Sequence, residues 1–324
     1  MKRFLIPLLL LTLCGAAQAD YGVSKFTNPI CGAADPCIVK CPEGKGYWYV
    51  YSNNTGIYSE YALTPADFKH DYLNKIFGAK PGSDYADEFW APELHRLGGK
   101  WYIYFTASSG EAAIHRMYVV SGDDPMKPFG DIKCMGDCDG DNAIDQTVFE
   151  YKGKLYTSFS ARVSDHQKLM LGEMASPWEI KGKPVCISHP EYEWEKACWP
   201  INEGPWAVER GGKLCILFSA SAANMDEYCT GILTFAGGDI MDPKNWKKHP
   251  EPILKGQGNI QGTGHGMFTK DADGNDWFVF HCNRPHDGKV WAARFLGLQP
   301  VVWIDDIPHF SPAVEKPKYF KYEK

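Results

Sequence analysis

Short runs in which apolar and polar residues alternate fill most of the chain, and glycine-bearing turns separate them. Five stretches share one layout: ADPCIVKCPEGKGYWYVYS from Ala34, APELHRLGGKWYIYFTASS from Ala91, IDQTVFEYKGKLYTSFSA from Ile144, NEGPWAVERGGKLCILFSASA from Asn202 and GHGMFTKDADGNDWFVFHC from Gly264. Each opens near a polar or ionisable residue, runs through a short alternation, turns, and returns as an aromatic and β-branched run. A period of two places successive side chains on opposite faces of a strand. Gly-Lys, Gly-Gly-Lys and Asp-Gly-Asn are hairpin turns, so each stretch predicts a β-hairpin. Helical periodicity is scarce, and TPADFKHDYLNKIF (64–77) is the best helix candidate.

The leading ionisable residues are Asp35, Glu93, Asp145, Glu203 and His265. They recur at intervals of about 50 to 60 residues, the length of one four-stranded propeller blade. Five such units fill residues 20–324 and predict an all-β, five-bladed β-propeller as a single domain. A β-sandwich is the alternative, and it does not account for the even period. In a propeller the start of each innermost strand faces the central axis. The five residues should therefore converge at one end of the channel. A lone Asp or Glu before a strand is ordinarily a turn former or cap. Several in equivalent positions need another reason, because burying them unpaired is costly. Acid–base chemistry with shifted pKa values supplies one.

The chain begins MKRFLIPLLLLTLCGAAQAD: two basic residues, an apolar run, then small residues. That is the layout of a secretory signal peptide over residues 1–19, cut after Ala19, which predicts a secreted or periplasmic protein. A lipoprotein cut before Cys14 is the alternative, disfavoured by Leu13 in front of it. No other stretch is long and apolar enough to span a bilayer. The net charge is −6 and no Lys/Arg run occurs, so nucleic acid and anionic membranes are poor partners. A neutral ligand fits better, and the 11 Trp and 17 Tyr suit stacking on flat faces as well as core filling.

Loss of Cys14 with the leader leaves an even number of cysteines in an oxidising compartment. Cys134/Cys138, Cys186/Cys198 and Cys215/Cys229 are plausible disulfides by proximity in sequence. No paired CxxC motif supports zinc. DCDGDNAID (137–145) resembles a calcium loop, but Asn142 stands at the sixth position and Val148 at the twelfth, where an EF-hand has Gly and Glu. It reads as a polar turn.

Two carboxylates, one protonated and one ionised, are the machinery of glycoside hydrolysis. Glu203, between Trp199 and Trp206, suits the protonated role if the indoles desolvate it. Asp35, with no acid nearby, suits the ionised one, and Asp145 is a third carboxylate able to hold the Glu203 proton. The ordered set ADPCI, WAPELH, IDQTVF, NEGPWAV and GHGMF resembles glycoside hydrolase family 43 over nearly all of residues 20–324. The resemblance implies a five-bladed propeller and an inverting enzyme acting on arabinose- and xylose-containing plant cell-wall polysaccharides. It implies Asp35 as general base, Asp145 as pKa modulator and Glu203 as general acid. The base and acid of an inverting pair should stand about 6.5–9.5 Å apart to admit a water. It also implies His265 in the central channel, reaching a structural calcium or sodium ion through water, with no cofactor needed for the chemistry.

Trp90, Glu93, Trp206 and Arg294 are the candidate sugar-binding residues. Trp90 could equally be a blade-core residue, and Arg294 a rim ion pair. INEGP, LFSASA, YCTGILTF and RFLGLQPVVW are most similar to the exo-acting α-L-arabinofuranosidase branch. β-Xylosidase, endo-arabinanase or a non-catalytic glycan-binding propeller are the alternatives. The chain departs from the family in GMF after His265 and in its many cysteines.

Overall fold

The computed structural model describes residues 20–110, 114–136, 142–163, 165–285 and 293–324, with the side chain of Val163 excepted. The leader, Cys138 and residues 137–141 of the DCDGDNAID stretch lie outside these. The described chain folds as a five-bladed β-propeller, as the repeat predicts.

Blade one comprises Cys37–Lys40, Tyr47–Asn53, Gly56–Ala62 and Lys75–Gly78, paired in that order. Blade two comprises Asp87–Leu97, Lys100–Ser108, Arg116–Gly122 and Gly130–Cys134. In blade three, Asn142–Tyr151, Lys154–Val163 and His166–Ser176 are followed by Glu179–Ile180 and Val185–Ser188, which both pair with the third strand. Blade four runs Asn202–Arg210, Lys213–Ala220, Cys229–Phe235 and Trp246–Lys248, and blade five Gln261–Lys270, Asp276–Asn283 and Phe295–Pro300. The first strands of successive blades contact one another in cyclic order around the axis. Buried aromatics, among them Tyr49, Phe105, Phe159, Phe218 and Phe278, fill the space within and between blades.

The ring closes through the segment before blade one. Ile30 N donates to Leu296 O (2.8 Å), Leu296 N to Cys31 O (2.8 Å) and Ala33 N to Arg294 O (2.9 Å), so this segment edges the third strand of blade five. The buried Asn28 side chain extends the ladder, donating to Leu298 O (2.9 Å) and accepting from Leu298 N (3.0 Å). Ahead of it, Tyr21–Thr27 pairs antiparallel with Pro317–Glu323, which brings the two described ends together.

The helix expected over 64–77 is not formed. Pro65–Asp67 makes one 3-10 turn capped by Thr64, and Lys75–Gly78 is an outer strand. Between them His70 and Tyr72 take positive φ (56° and 57°), which a right-handed helix cannot contain. Their rings pack on Tyr51 at 4.4 and 5.4 Å, so tertiary stacking overrides the local periodicity. The expected disulfides do not form among the described residues, where all nine cysteines are free. Strand register explains one case. Cys215 pairs with Thr234 and Cys229 with Ala220, which puts the two thiols at opposite ends of a strand pair. Cys186 donates instead to Ser188 O and Cys198 to Glu227.

One irregularity recurs. In blades two to five the first strand carries one extra residue against its partner, between Trp90 and Glu93, Ile144 and Thr147, Glu203 and Trp206, and Gly264 and Met267. The residue after the first of each pair has positive φ: Ala91 (46°), Asp145 (58°), Gly204 (52°) and His265 (46°); Asp35 (47°) is the counterpart in blade one. Such a bulge turns the strand end and re-aims its side chains. It also corrects the repeat register. The blade-two counterpart of Asp35 is Ala91, not Glu93, and the blade-four counterpart is Gly204, with Glu203 one residue earlier. Only Gly tolerates that conformation freely, and a Cβ on Gly204 would lie 3.0 Å from the His265 ring.

Candidate active site

The second strand of each blade reaches across to the first strand of the next, at one repeated position. Ser52 Oγ donates to Phe89 O (2.7 Å) and Ser160 Oγ to Asn202 O (2.9 Å). Thr106 Oγ1 accepts from Asp145 N (3.2 Å) and Ser219 Oγ from His265 N (2.6 Å). The fifth link uses an imidazole: His281 Nδ1 lies 3.3 Å from Asp35 N. In sequence these are the second residues of YS, FT, FS, FS and FH. The stitching fixes the backbone at the inner end of each first strand.

Asp35, Asp145, Glu203 and His265 converge as expected. All are buried or nearly so, and all line one cavity of about 860 Å³. Asp35 Oδ1 is 2.9 Å from Arg294 Nη1, 3.2 Å from His265 Nδ1 and 3.2 Å from His281 Nδ1. Burial alone would raise its pKa. The Arg294 guanidinium, His265 and His281 outweigh that and hold it well below the usual carboxylate range. Asp145 Oδ2 accepts from Gly204 N (3.1 Å) and is 3.8 Å from His265 Nδ1. Burial pushes it up to about 6, with His265 opposing and Asp35 adding to the rise. Glu203 Oε1 accepts from the Tyr228 hydroxyl (2.9 Å) and Oε2 from Gln167 Nε2 (3.3 Å). Burial and the Asp145 charge push Glu203 up to about 8, against His265 and Tyr228. Burial disfavours the charged form of His265, yet Asp35 and Asp145 draw it above its ordinary value. The surroundings thus favour the ionised form of Asp35 and the protonated form of Glu203, and the two aspartates favour a proton on the His265 ring between them.

Trp90 and Arg294 line the cavity, with Asn54, Arg162, Gln167, Trp199 and Asn224. The Trp90 indole is stacked on His115 (4.0 Å, 26°), whose Nε2 is 3.1 Å from Glu88 Oε2. Trp199 stands at the mouth, 61% exposed. Glu93 and Trp206 are not brought to the cavity wall. They sit two residues beyond the ring position of their strands, equivalent to Cys37, Thr147 and Met267. There Glu93 Oε2 is 2.8 Å from His95 Nε2, and His95 stacks on Trp206 (5.7 Å, 25°). Of the two flanking indoles, Trp206 is therefore turned to His95, while the Tyr228 hydroxyl is the aromatic group that meets Glu203. The motifs did not single out Tyr228, Gln167 or His281. His281 had a signal: it replaces the Ser or Thr of the other second strands.

Among the described residues no three His, Cys, Asp or Glu side chains converge to hold a metal ion. His265 commits Nδ1 to Asp35 and Asp145, 3.2 and 3.8 Å away, so only its Nε2 could face an ion or an ion-bound water.

Comparison with known proteins places this geometry. The sequence profile of glycosyl hydrolases family 43 matches residues 26–308. The chain belongs to that family. This family 43 glycoside hydrolase is 34% identical over 286 residues to an extracellular exo-α-(1→5)-L-arabinofuranosidase of Streptomyces chartreusis, covering 83% of this chain and 86% of that protein. It is 32% identical to α-L-arabinofuranosidase 43 of Humicola insolens, over 82% of this chain and 57% of that one. Among solved structures, an α-L-arabinofuranosidase from Lactobacillus brevis superposes with a TM-score of 0.81 at 33% identity, over 89% of this chain and 97% of that one. An endo-arabinase from Bacteroides thetaiotaomicron, at 20% identity and a TM-score of 0.69, shares the fold.

Proposed function

We propose that this family 43 hydrolase is a secreted, inverting exo-α-L-arabinofuranosidase that releases terminal arabinofuranose from arabinan or arabinoxylan chains of plant cell walls. The observation that carries the reading is that one cavity holds Asp35 against Arg294 and two imidazoles, and Glu203 buried near Asp145 with only neutral donors on its oxygens, surroundings that favour a charged base and an uncharged acid. Asp35 is the general base and takes a proton from water beneath the anomeric carbon. Glu203 is the general acid and protonates the departing glycosidic oxygen. Asp145 keeps Glu203 protonated by its charge and holds the Gly204 amide beside it. An acid and a base acting on opposite sides of the sugar invert the anomeric centre. Trp90 walls the sugar site, and Arg294 shares its guanidinium between Asp35 and a sugar hydroxyl. The exo-arabinofuranosidase choice rests on relatives above 30% identity that cover most of both chains. A calcium or sodium ion reached from His265 through water is a structural part of the proposal and takes no step in the chemistry.

The test is a panel of aryl α-L-arabinofuranoside, aryl β-xyloside, linear arabinan and arabinoxylan, with proton NMR of the first sugar released. Arabinose of inverted configuration is the expected product, at an undiminished rate after dialysis against a chelator. A retained anomer would overturn the mechanism, preference for the xyloside the substrate, and hydrolysis of none the enzyme assignment.

A further inference from the structure

The proposed base and acid hang from opposite sides of one buried ring pair. His281, in the second strand of blade five, is fully buried, and its Nδ1 faces Asp35, 3.2 Å from the carboxylate Oδ1 and 3.3 Å from the amide nitrogen. Tyr228, just before the third strand of blade four, is 1% exposed and holds Glu203 through its hydroxyl. The two rings are stacked, 5.2 Å between centroids and 7° from parallel. The berth is made by Gly264, the register partner of His281. A Cβ there would lie 2.3 Å from Tyr228 Cε1, so any side chain would push the phenol ring off the imidazole. The other blades place Ser or Thr where His281 stands, and a hydroxyl satisfies the cross-blade link equally well. The imidazole brings what they lack: a flat face, and an Nδ1 within reach of a carboxylate.

We propose that the His281–Tyr228 stack is a positioning device that sets the base and the acid relative to each other across the scissile bond. Neither ring lines the cavity, so each acts through its carboxylate. With its proton on Nδ1 the ring donates to the Asp35 carboxylate in place of accepting from the Asp35 amide, and Nε2 is left as a buried acceptor without a partner among the described residues. Burial keeps the ring neutral by drawing its pKa down to about 4. A neutral, stacked ring leaves Arg294 and His265 as the cations facing Asp35. Tyr228 likewise faces Glu203 with Asp145 and His265 beyond it.

The inference rests on the roles proposed for Asp35 and Glu203, and the experiment separates the two. Asp35→Asn and Glu203→Gln check those roles: near-normal turnover in either would sink the underlying reading. With both inactive, the kcat/KM pH profile is measured for His281→Ser, Tyr228→Phe and Tyr228→Leu. Losing the bond to the charged Asp35 should lower kcat about ten- to a hundredfold, and losing the one to the neutral Glu203 carboxyl about two- to tenfold. His281→Ser removes a donor from Asp35 and the platform under Tyr228, so both limbs of the bell should move to higher pH. Tyr228→Phe keeps the stack and should raise only the alkaline limb. Tyr228→Leu loses the stack and should move both, which keeps the test alive if His281→Ser does not fold. A His281→Ser or Tyr228→Leu profile in which only the limb of the nearer carboxylate moves would overturn the coupling. So would additive losses of kcat in His281→Ser/Tyr228→Phe.

Discussion

A carboxyl held protonated near pH 8 is a liability to the fold as well as a tool. Between the ordinary glutamate value of 4.5 and about 8, the folded protein keeps a proton on Glu203 that the unfolded chain has released. The native state binds more protons there, so stability falls as pH rises through that window. Glu203→Gln should remove this slope: urea midpoints measured from pH 5 to 8 should be flatter than those of the parent, with turnover lost. Asp145→Asn removes the charge that helps hold the Glu203 proton. The alkaline limb of its kcat/KM profile should fall below the parent's, with a lower maximum rate. Asp35, Asp145, Glu203 and His265 could be found in the sequence because each begins a motif of the ordered repeat. Tyr228 and Gln167 could not. They reach Glu203 from strands 25 and 36 residues away, and nothing in YCTGILTF or DHQKLM marks them as its partners.

At the level of strands, the extra residue in four inner strands decides which side chains face the cavity. Hairpins were legible from their turns, but a bulge adds one residue without changing the alternation that predicts a strand. That is why Glu93 read as a ring position when Ala91 occupies it, and why Trp206 read as a sugar wall when it lies one pleat away against His95. The loop between blades three and four has its own anchor. Glu195, fully buried, accepts from Glu191 N, Tyr192 N and Asn202 Nδ2 (2.8 Å each) and pairs with Lys248 Nζ at 2.7 Å. Asn202 precedes Glu203, and Trp199, Pro200 and Ile201 line the cavity. Lys248→Met leaves a buried carboxylate unpaired, at a cost of about 3–5 kcal/mol. Its urea midpoint should drop, its KM for the aryl arabinofuranoside should rise, and adding Glu195→Gln should restore part of both.

The whole molecule is a ring that must be shut, and it is shut by the backbone around residues 28–33, with no disulfide among the described residues. The repeat implied five units but not how the fifth would be completed. Blade five has three strands of its own, and the fourth edge is the irregular segment around Asn28–Ala33, whose ladder is partly made by a side chain. Asn28→Ala should strand the Leu298 amide and carbonyl, lowering stability by about 1–3 kcal/mol in a urea titration.

The closing segment ends at Ala33, and Asp35 follows two residues later. The last rung of the closure, Ala33 N to Arg294 O, belongs to the arginine whose guanidinium grips that carboxylate. Mechanical load is therefore not distributed evenly over this protein. A steady pull on the residues ahead of Tyr21 would first load the pairing of Tyr21–Thr27 with Pro317–Glu323 and then the seam that ends two residues before Asp35, the base proposed above. Tension would silence such an enzyme before it unfolded it.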